Sequence, residues 1–562
     1  MLMMRLGVVV LVLLACLHIV VRGDEATTAE ARKVVADFEA KFKPLETAAN
    51  LAWWQANITG REEDFKKKVE AQNKIDDMLA DPKAFAKIKA LKQSKKIDDP
   101  IIARAIDVIY LKYLEKQVPA DLLRKIVEKM NEVEKKFNVF RANVDGKELT
   151  DNQVRNVLRG SRSSKDRQRV WEASKKVGEI VEADLKELVR LRNQAAQKLG
   201  FKNFHDLQLF LNEQDSDELM KLFDELDELT REPFIAAKKD IDKRLALQCR
   251  VRVDDLMPWH YHDPFFQQTP AVFEGNIDAP YQKIDLVKIT QDFYNGINLP
   301  VDSVVARSDL FEKRGKSPHA FCIDIDRDGD VRVLCNVVGN EQWMSTLLHE
   351  FGHAVYSSKY IPDSLPYVLR AESHILTTEG IAMMFERLAK KRAWIEKMGG
   401  VVVNPKAFDE AADKMQRYQL LIFSRWCQVM LRFEKAMYEN PEQDLSDLWW
   451  GLVEKYQMLK RPEGRKAPDY ASKIHIVVAP VYYHNYMMGE LFASQLHHAI
   501  AKEVYKGADP KTVIYVKNEQ VGRFLRAKVF NPGKTMTWNV LTKFATGEPL
   551  SAKAFAADFK GE

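Results

Sequence analysis

Apolar residues recur at three- and four-residue spacing, broken by charges, along Lys406 to Tyr438 and again along Leu122 to Phe140. That period belongs to helices with one buried face, and runs of this length leave little room for anything but helix packed on helix. Sequence of β character is scarce. Its best stretch is His319 to Val338, where Phe321-Cys322-Ile323 and Val331-Arg332-Val333-Leu334 bracket a turn at Arg327-Asp328-Gly329-Asp330. Prolines 258, 264, 270 and 280 mark a loop-rich connection. The expected fold is mainly α: one large helical unit in two lobes around a cleft, with a small β-hairpin. No internal repeat or low-complexity tract interrupts it.

Composition narrows the function classes. The 86 Lys and Arg residues nearly balance the 81 Asp and Glu, and a formal charge of +5 is too even to point to nucleic acid or an acidic partner. Met1 to Gly23 reads as a signal peptide: Arg5 supplies the positive start, Leu6 to Val21 is nearly all apolar, and Asp24-Glu25 follows. The apolar run is short for a span of roughly 20 residues, although a signal anchor is the rival reading. A secreted or periplasmic protein occupying residues 24–562, with no later membrane span, is expected.

Four cysteines then remain, Cys249, Cys322, Cys335 and Cys427, and an oxidising compartment permits a bridge. Cys322 and Cys335 flank the hairpin turn and are expected to face each other across it. Asp324-x-Asp326-x-Asp328-Gly329 has Cys335, not glutamate, at its twelfth position, which makes it a polar turn and not a calcium loop.

The chemistry lies after Asn340, a helix cap in the making. Met344, Leu347, Leu348, Phe351 and Val355 form an apolar stripe, and His349 and His353 fall on another face. Two residues four apart on a helix lie about 40° apart around the axis and about 6 Å along it, so both imidazoles can reach one Zn2+. Glu350, one position on, stands beside such a metal as a base for water. Catalytic zinc takes three protein ligands and keeps one position open. A second helical pattern after Pro366 offers Glu372, His374, Glu379 and Glu386. Glu379 is the preferred third ligand, with His374 and Glu386 as alternatives that spacing does not exclude.

These residues resemble the angiotensin-converting enzyme, or peptidyl-dipeptidase A, family of zinc peptidases. The resemblance runs in order through Trp53-Trp54-Gln55-Ala56-Asn57-Ile58-Thr59, His319-Ala320, Cys335-Asn336-Val337-Val338, Leu365-Pro366-Tyr367-Val368-Leu369-Arg370, Trp449-Trp450-Gly451-Leu452 and Lys473-Ile474-His475-Ile476. It implies a helical peptidase with a deep, lidded cleft, zinc on His349, His353 and Glu379, and Glu350 as base. It also implies His475 and Tyr486 as donors to the oxyanion, although Tyr482 and Tyr483 stand close by.

By the same resemblance, His319 and Ala320 begin a strand that pairs with substrate. Lys473 and Tyr483 hold the C-terminal carboxylate of an oligopeptide, with a third position near Trp259-His260-Tyr261. The implied product is a C-terminal dipeptide. Two features depart from the family. Val453 and Asn485 stand where its chloride-binding arginines would be, so the resemblance does not extend to chloride activation. Pro318 replaces one cysteine of a family disulfide, leaving Cys335 to pair with Cys322 or stay free. Two other readings remain: a thimet-type oligopeptidase that cleaves internal bonds, and a peptide-binding homologue without activity.

Overall fold

Asp24 caps the first helix, its carboxylate accepting the N–H of Ala26, and Gly60 ends that helix in the left-handed region at φ 65°. Only glycine fits there, because a Cβ would sit 2.1 Å from the Gly315 carbonyl oxygen. The computed structural model describes residues 24–560 except 274. The signal-peptide reading of Met1 to Gly23 lies outside the described residues. Among these, no helix is long and apolar enough to cross a membrane.

Helices α1 (Glu25–Thr59), α2 (Glu62–Leu79), α3 (Pro82–Ser94) and α4 (Pro100–Glu115) bury Val35, Phe38, Phe42, Ile75, Ile88 and Ile109 in an apolar cluster of their own. The remaining helices build a second, larger cluster. Its framework is α5 (Ser164–Lys198), α6 (Ser216–Cys249), α7 (Glu341–Val355), α8 (Ile375–Glu386), α9 (Pro405–Glu439) and α10 (Tyr483–Glu503). The caps follow from sequence: Ser163, Asp215, Asn340 and Asn404 each accept first-turn N–H groups of α5, α6, α7 and α9. The two periodic runs are helices as expected, at Ala120–Val139 and Pro405–Glu439.

Strands β1 (Ala142–Val144) and β2 (Lys147–Leu149) form a hairpin that the sequence reading missed. Asp145-Gly146 was its signal, both residues having positive φ as a tight hairpin turn requires. The expected hairpin is present as β3 (Phe321–Asp324) and β4 (Val331–Leu334). Its turn is polar, with the Asp326 carboxylate accepting the N–H groups of Asp328 and Asp330.

The expectation for Cys322 and Cys335 is corrected. The register places Cys322 opposite Val333, two residues short of Cys335, and both thiols are free. The turn length sets that register, and a slip would turn the buried side chains to the wrong face. The second helical pattern also begins later than Pro366. Tyr367, Val368 and Leu369 are drawn into the α1–α4 cluster as a 3-10 turn, so α8 starts at Ile375 with His374 as its cap.

Three central helices approach closely through glycines. A Cβ on Gly352 of α7 would lie 2.8 Å from the Ala382 Cα of α8, and one on Gly380 of α8 would lie 2.8 Å from the Gly489 oxygen of α10. Nothing larger fits at either crossing. α7, α8 and α10 are the elements that bring the site together.

Candidate metal centre

On α7 the stripe Met344, Leu347, Leu348, Phe351 and Val355 is fully buried, which turns His349 and His353 toward α8. The two Nε2 atoms lie 3.1 Å apart. Glu379 Oε2 on α8 stands 3.6 Å from the first and 4.0 Å from the second. Four donors at tetrahedral corners around a metal bound at about 2.0–2.1 Å stand about 3.4 Å from one another. The three side chains therefore fit one divalent ion, and among the described residues they are the group of His, Cys, Asp and Glu that comes together in this way.

The other imidazole nitrogens are held from behind. His349 Nδ1 donates to Glu386 Oε2 at 2.6 Å, and His353 Nδ1 lies 2.7 Å from Thr378 Oγ1. Such partners set the tautomer and aim Nε2 at the metal. Burial would depress the His349 imidazole, but the Glu386 carboxylate outweighs it and raises the group to about 10. His353 is pushed well below its usual value by burial and by the neighbouring His349. Burial also raises the Glu379 carboxyl, with Glu386 and Glu490 adding to it against His349.

The structure separates the alternatives for the third ligand. Glu386 faces the far nitrogen of His349. His374 serves as the α8 cap, accepting the Leu376 N–H, and packs against Trp538. Glu372 lines the cavity beside the metal group.

Glu350 is buried, and its carboxyl borders two cavities that flank the histidines. Burial raises it to about 7, partly offset by His349 and reinforced by Glu379, with the Cys322 backbone holding the charged form. Tyr486 lines the larger cavity, of 650 Å3, together with His349, His353, Glu379 and Ala320. The Tyr482 ring packs against that of Tyr486, centroids 5.2 Å apart. His475 packs 5.3 Å from the Tyr483 ring, and its buried Nδ1 has no hydrogen-bond partner. His319 is exposed just before β3 and is not in the lining of this cavity.

Lys473 is buried among the rings of Phe265, Trp426 and Tyr483, each 5.1 to 5.3 Å from its Nζ. Gln267 Oε1 accepts from Lys473 Nζ at 2.8 Å and from Tyr483 OH at 3.3 Å. Gln267, six residues past the Trp259-His260-Tyr261 stretch near which the resemblance sets a third position, is thus the residue that meets both. Those residues are committed elsewhere: Trp259 and His260 bond Ser164, and Tyr261 bonds Asp242. Gln267 lies in the proline-marked loop, where one amide among several polar residues carries no signal by itself. No carboxylate lies within ion-pair distance of Lys473 among the described residues.

A helical frame with a His-Glu-x-x-His helix and a glutamate on the next helix defines a metallopeptidase. Residues 25–234 match the family model for angiotensin-converting enzyme, and residues 305–561 match that for peptidase family M3. Both are families of metallopeptidases, and the two matches support a metallopeptidase hydrolase; His349, Glu350, His353 and Glu379 lie within the residues matched to M3. A search of curated proteins returns no match.

Proposed function

We propose that this chain is a zinc-dependent peptidyl-dipeptidase that releases dipeptides from the C-terminus of oligopeptides. The observation that carries the reading is the Gln267–Lys473–Tyr483 group. A buried ammonium whose polar partner is a neutral amide and which has aromatic rings around it is suited to a carboxylate, and a substrate's C-terminus supplies one.

His349, His353 and Glu379 would hold the ion. Bound Zn2+ supplies Lewis-acid chemistry, lowering the pKa of water and polarising a carbonyl. Glu350 takes the proton of the attacking water and passes it to the leaving amine. The His475 ring and the Tyr486 hydroxyl donate to the oxygen that gains charge as the carbonyl becomes tetrahedral, each contributing about 10²–10³ in rate. The edge of β3 that β4 leaves unpaired, from Ala320 onward, holds an extended peptide by main-chain hydrogen bonds, with His319 at its start.

The test uses one peptide as free acid and as C-terminal amide, with and without chelator, and products identified by mass. Chelator-sensitive release of a dipeptide from the free acid alone is expected. Equal internal cleavage of both forms would replace this reading with that of an oligopeptidase.

A further inference from the structure

The cavity beside the metal group is bounded away from α7 by Glu46 and Asn50 of α1, by Arg327 and by Arg370. Arg327 and Arg370 are also a wall of a second cavity, of 690 Å3, that the reaction above does not use. Lys359, Arg523 and Arg526 complete five cations there, against the carboxylates of Asp328 and Asp363. Asp328 already faces Lys43 at 3.6 Å. Arg327 is paired with Glu46 and Arg523 with Glu519. Among the described residues, Lys359, Arg370 and Arg526 have no carboxylate partner within ion-pair distance. Arg526 stands over the Tyr360 ring, at the start of a π-helical turn, Arg526–Phe530. Such turns occur often at functional sites. On the metal side of the wall the sign reverses, with Glu46, Asp324 and Glu372 in the lining.

Arg370 donates to the backbone carbonyls of Leu365 and Asp363 and Lys359 to that of Pro300, so their charge is held in place without being neutralised. A concave surface with such an excess of cations attracts carboxylates. The substrate's own course supplies the anion. With its C-terminus on Lys473, a peptide passes the metal and leaves along β3. The Cys322 backbone adjoins Glu350, the strand ends at Asp324, and the turn brings Arg327 to the wall between the cavities. A peptide extended beside β3 keeps step with it at about 3.3 Å per residue, so the two residues from Cys322 to Asp324 and the turn to Arg327 set its third to fifth upstream residues at that wall. Resting on the peptidase reading above, we propose that the Arg327–Arg370–Arg526 cavity is a subsite for acidic side chains of the substrate, upstream of the scissile bond. Acidic residues next to that bond meet carboxylates instead and are disfavoured.

Otherwise identical labelled peptides carrying Asp, Asn or Lys at the third to fifth upstream position test this by fluorescence anisotropy with the Glu350→Gln chain. The Asp peptide is expected to bind about tenfold more tightly than the Asn peptide, the equivalent of one charge-assisted hydrogen bond. The difference shrinks at high salt. Arg526→Glu should reverse the order in favour of the Lys peptide, a result that a misfolded variant could not give. Equal binding of the three peptides overturns the proposal, as does an Asp preference that survives Arg526→Glu. Hydrolysis of the Asn peptide by the natural chain without any charge preference removes the subsite and keeps the peptidase. A retained Asp preference with no hydrolysis of any peptide keeps the subsite and removes the peptidase.

Discussion

His349 Nδ1 donates to Glu386 Oε2 at 2.6 Å, and Glu386 stands two helical turns beyond Glu379 on α8. Seven residues return a helix to nearly the same face, so α8 presents the candidate ligand carboxylate of Glu379 and the carboxylate of Glu386 in the same direction. Glu386→Gln keeps the shape and removes the charge. Metal affinity is expected to fall about 10–100-fold, read by competition with a chelator of known affinity. Unchanged affinity would mean that the carboxylate serves packing only.

Glu350→Gln should lower kcat by about 10²–10⁴ while metal content stays at one ion per chain. Turnover and metal analysis on the same sample separate the base from the ligands. A variant that loses metal as well would place Glu350 in the coordination shell.

Lys473 is held down to about 8 by burial, against the pull of Asp263. Its charge is therefore present below pH 8 and lost above it. KM for a free-acid peptide should rise as pH passes through 8, and KM for the matching amide should not. Gln267→Leu should raise KM for the free acid alone. Parallel profiles for acid and amide would show that Lys473 does not meet the C-terminus.

His205 is buried with neither ring nitrogen hydrogen-bonded, and burial pushes it to about 4. His374 is pushed to about 3 by burial and by Lys534. Between these values and 6.5 the unfolded chain binds protons that the folded chain does not, so stability is present above pH 6.5 and falls with pH. His205 alone accounts for about 3 kcal/mol of that loss. The melting temperature of His205→Gln should depend less on pH from 6.5 to 4 than that of the natural chain. Identical slopes would refute the assignment.

Gly352→Ala places a methyl 2.8 Å from the Ala382 Cα. Overpacking at the α7–α8 crossing should cost about 1–3 kcal/mol and loosen the metal group. Thermal melts and metal affinity are expected to decline together.

Much of this was legible from spacing. Two histidines four apart on an amphipathic helix must share a face, because helix geometry is local and the buried stripe fixes which way that face turns. The Asn340 cap and the polar Asp-Gly turn are equally local, since each is made by side chains bonding to backbone two or three residues away. The choice among Glu372, His374, Glu379 and Glu386 was not local. It depended on where α8 begins, and that was decided by Tyr367–Leu369 packing into another cluster. The cysteine pair failed for a similar reason, because strand register is a property of two paired strands and not of either alone.

By itself the sequence determined the helical frame and the common face of His349 and His353, which are set little more than one turn apart on the same helix. Only the tertiary structure brought Gln267 to Lys473 and Tyr483, across 206 and 216 residues. It alone set Arg327 and Arg370 between two cavities of opposite charge. Contacts so distant in the chain leave no period to read, because they exist only where separate helices pack.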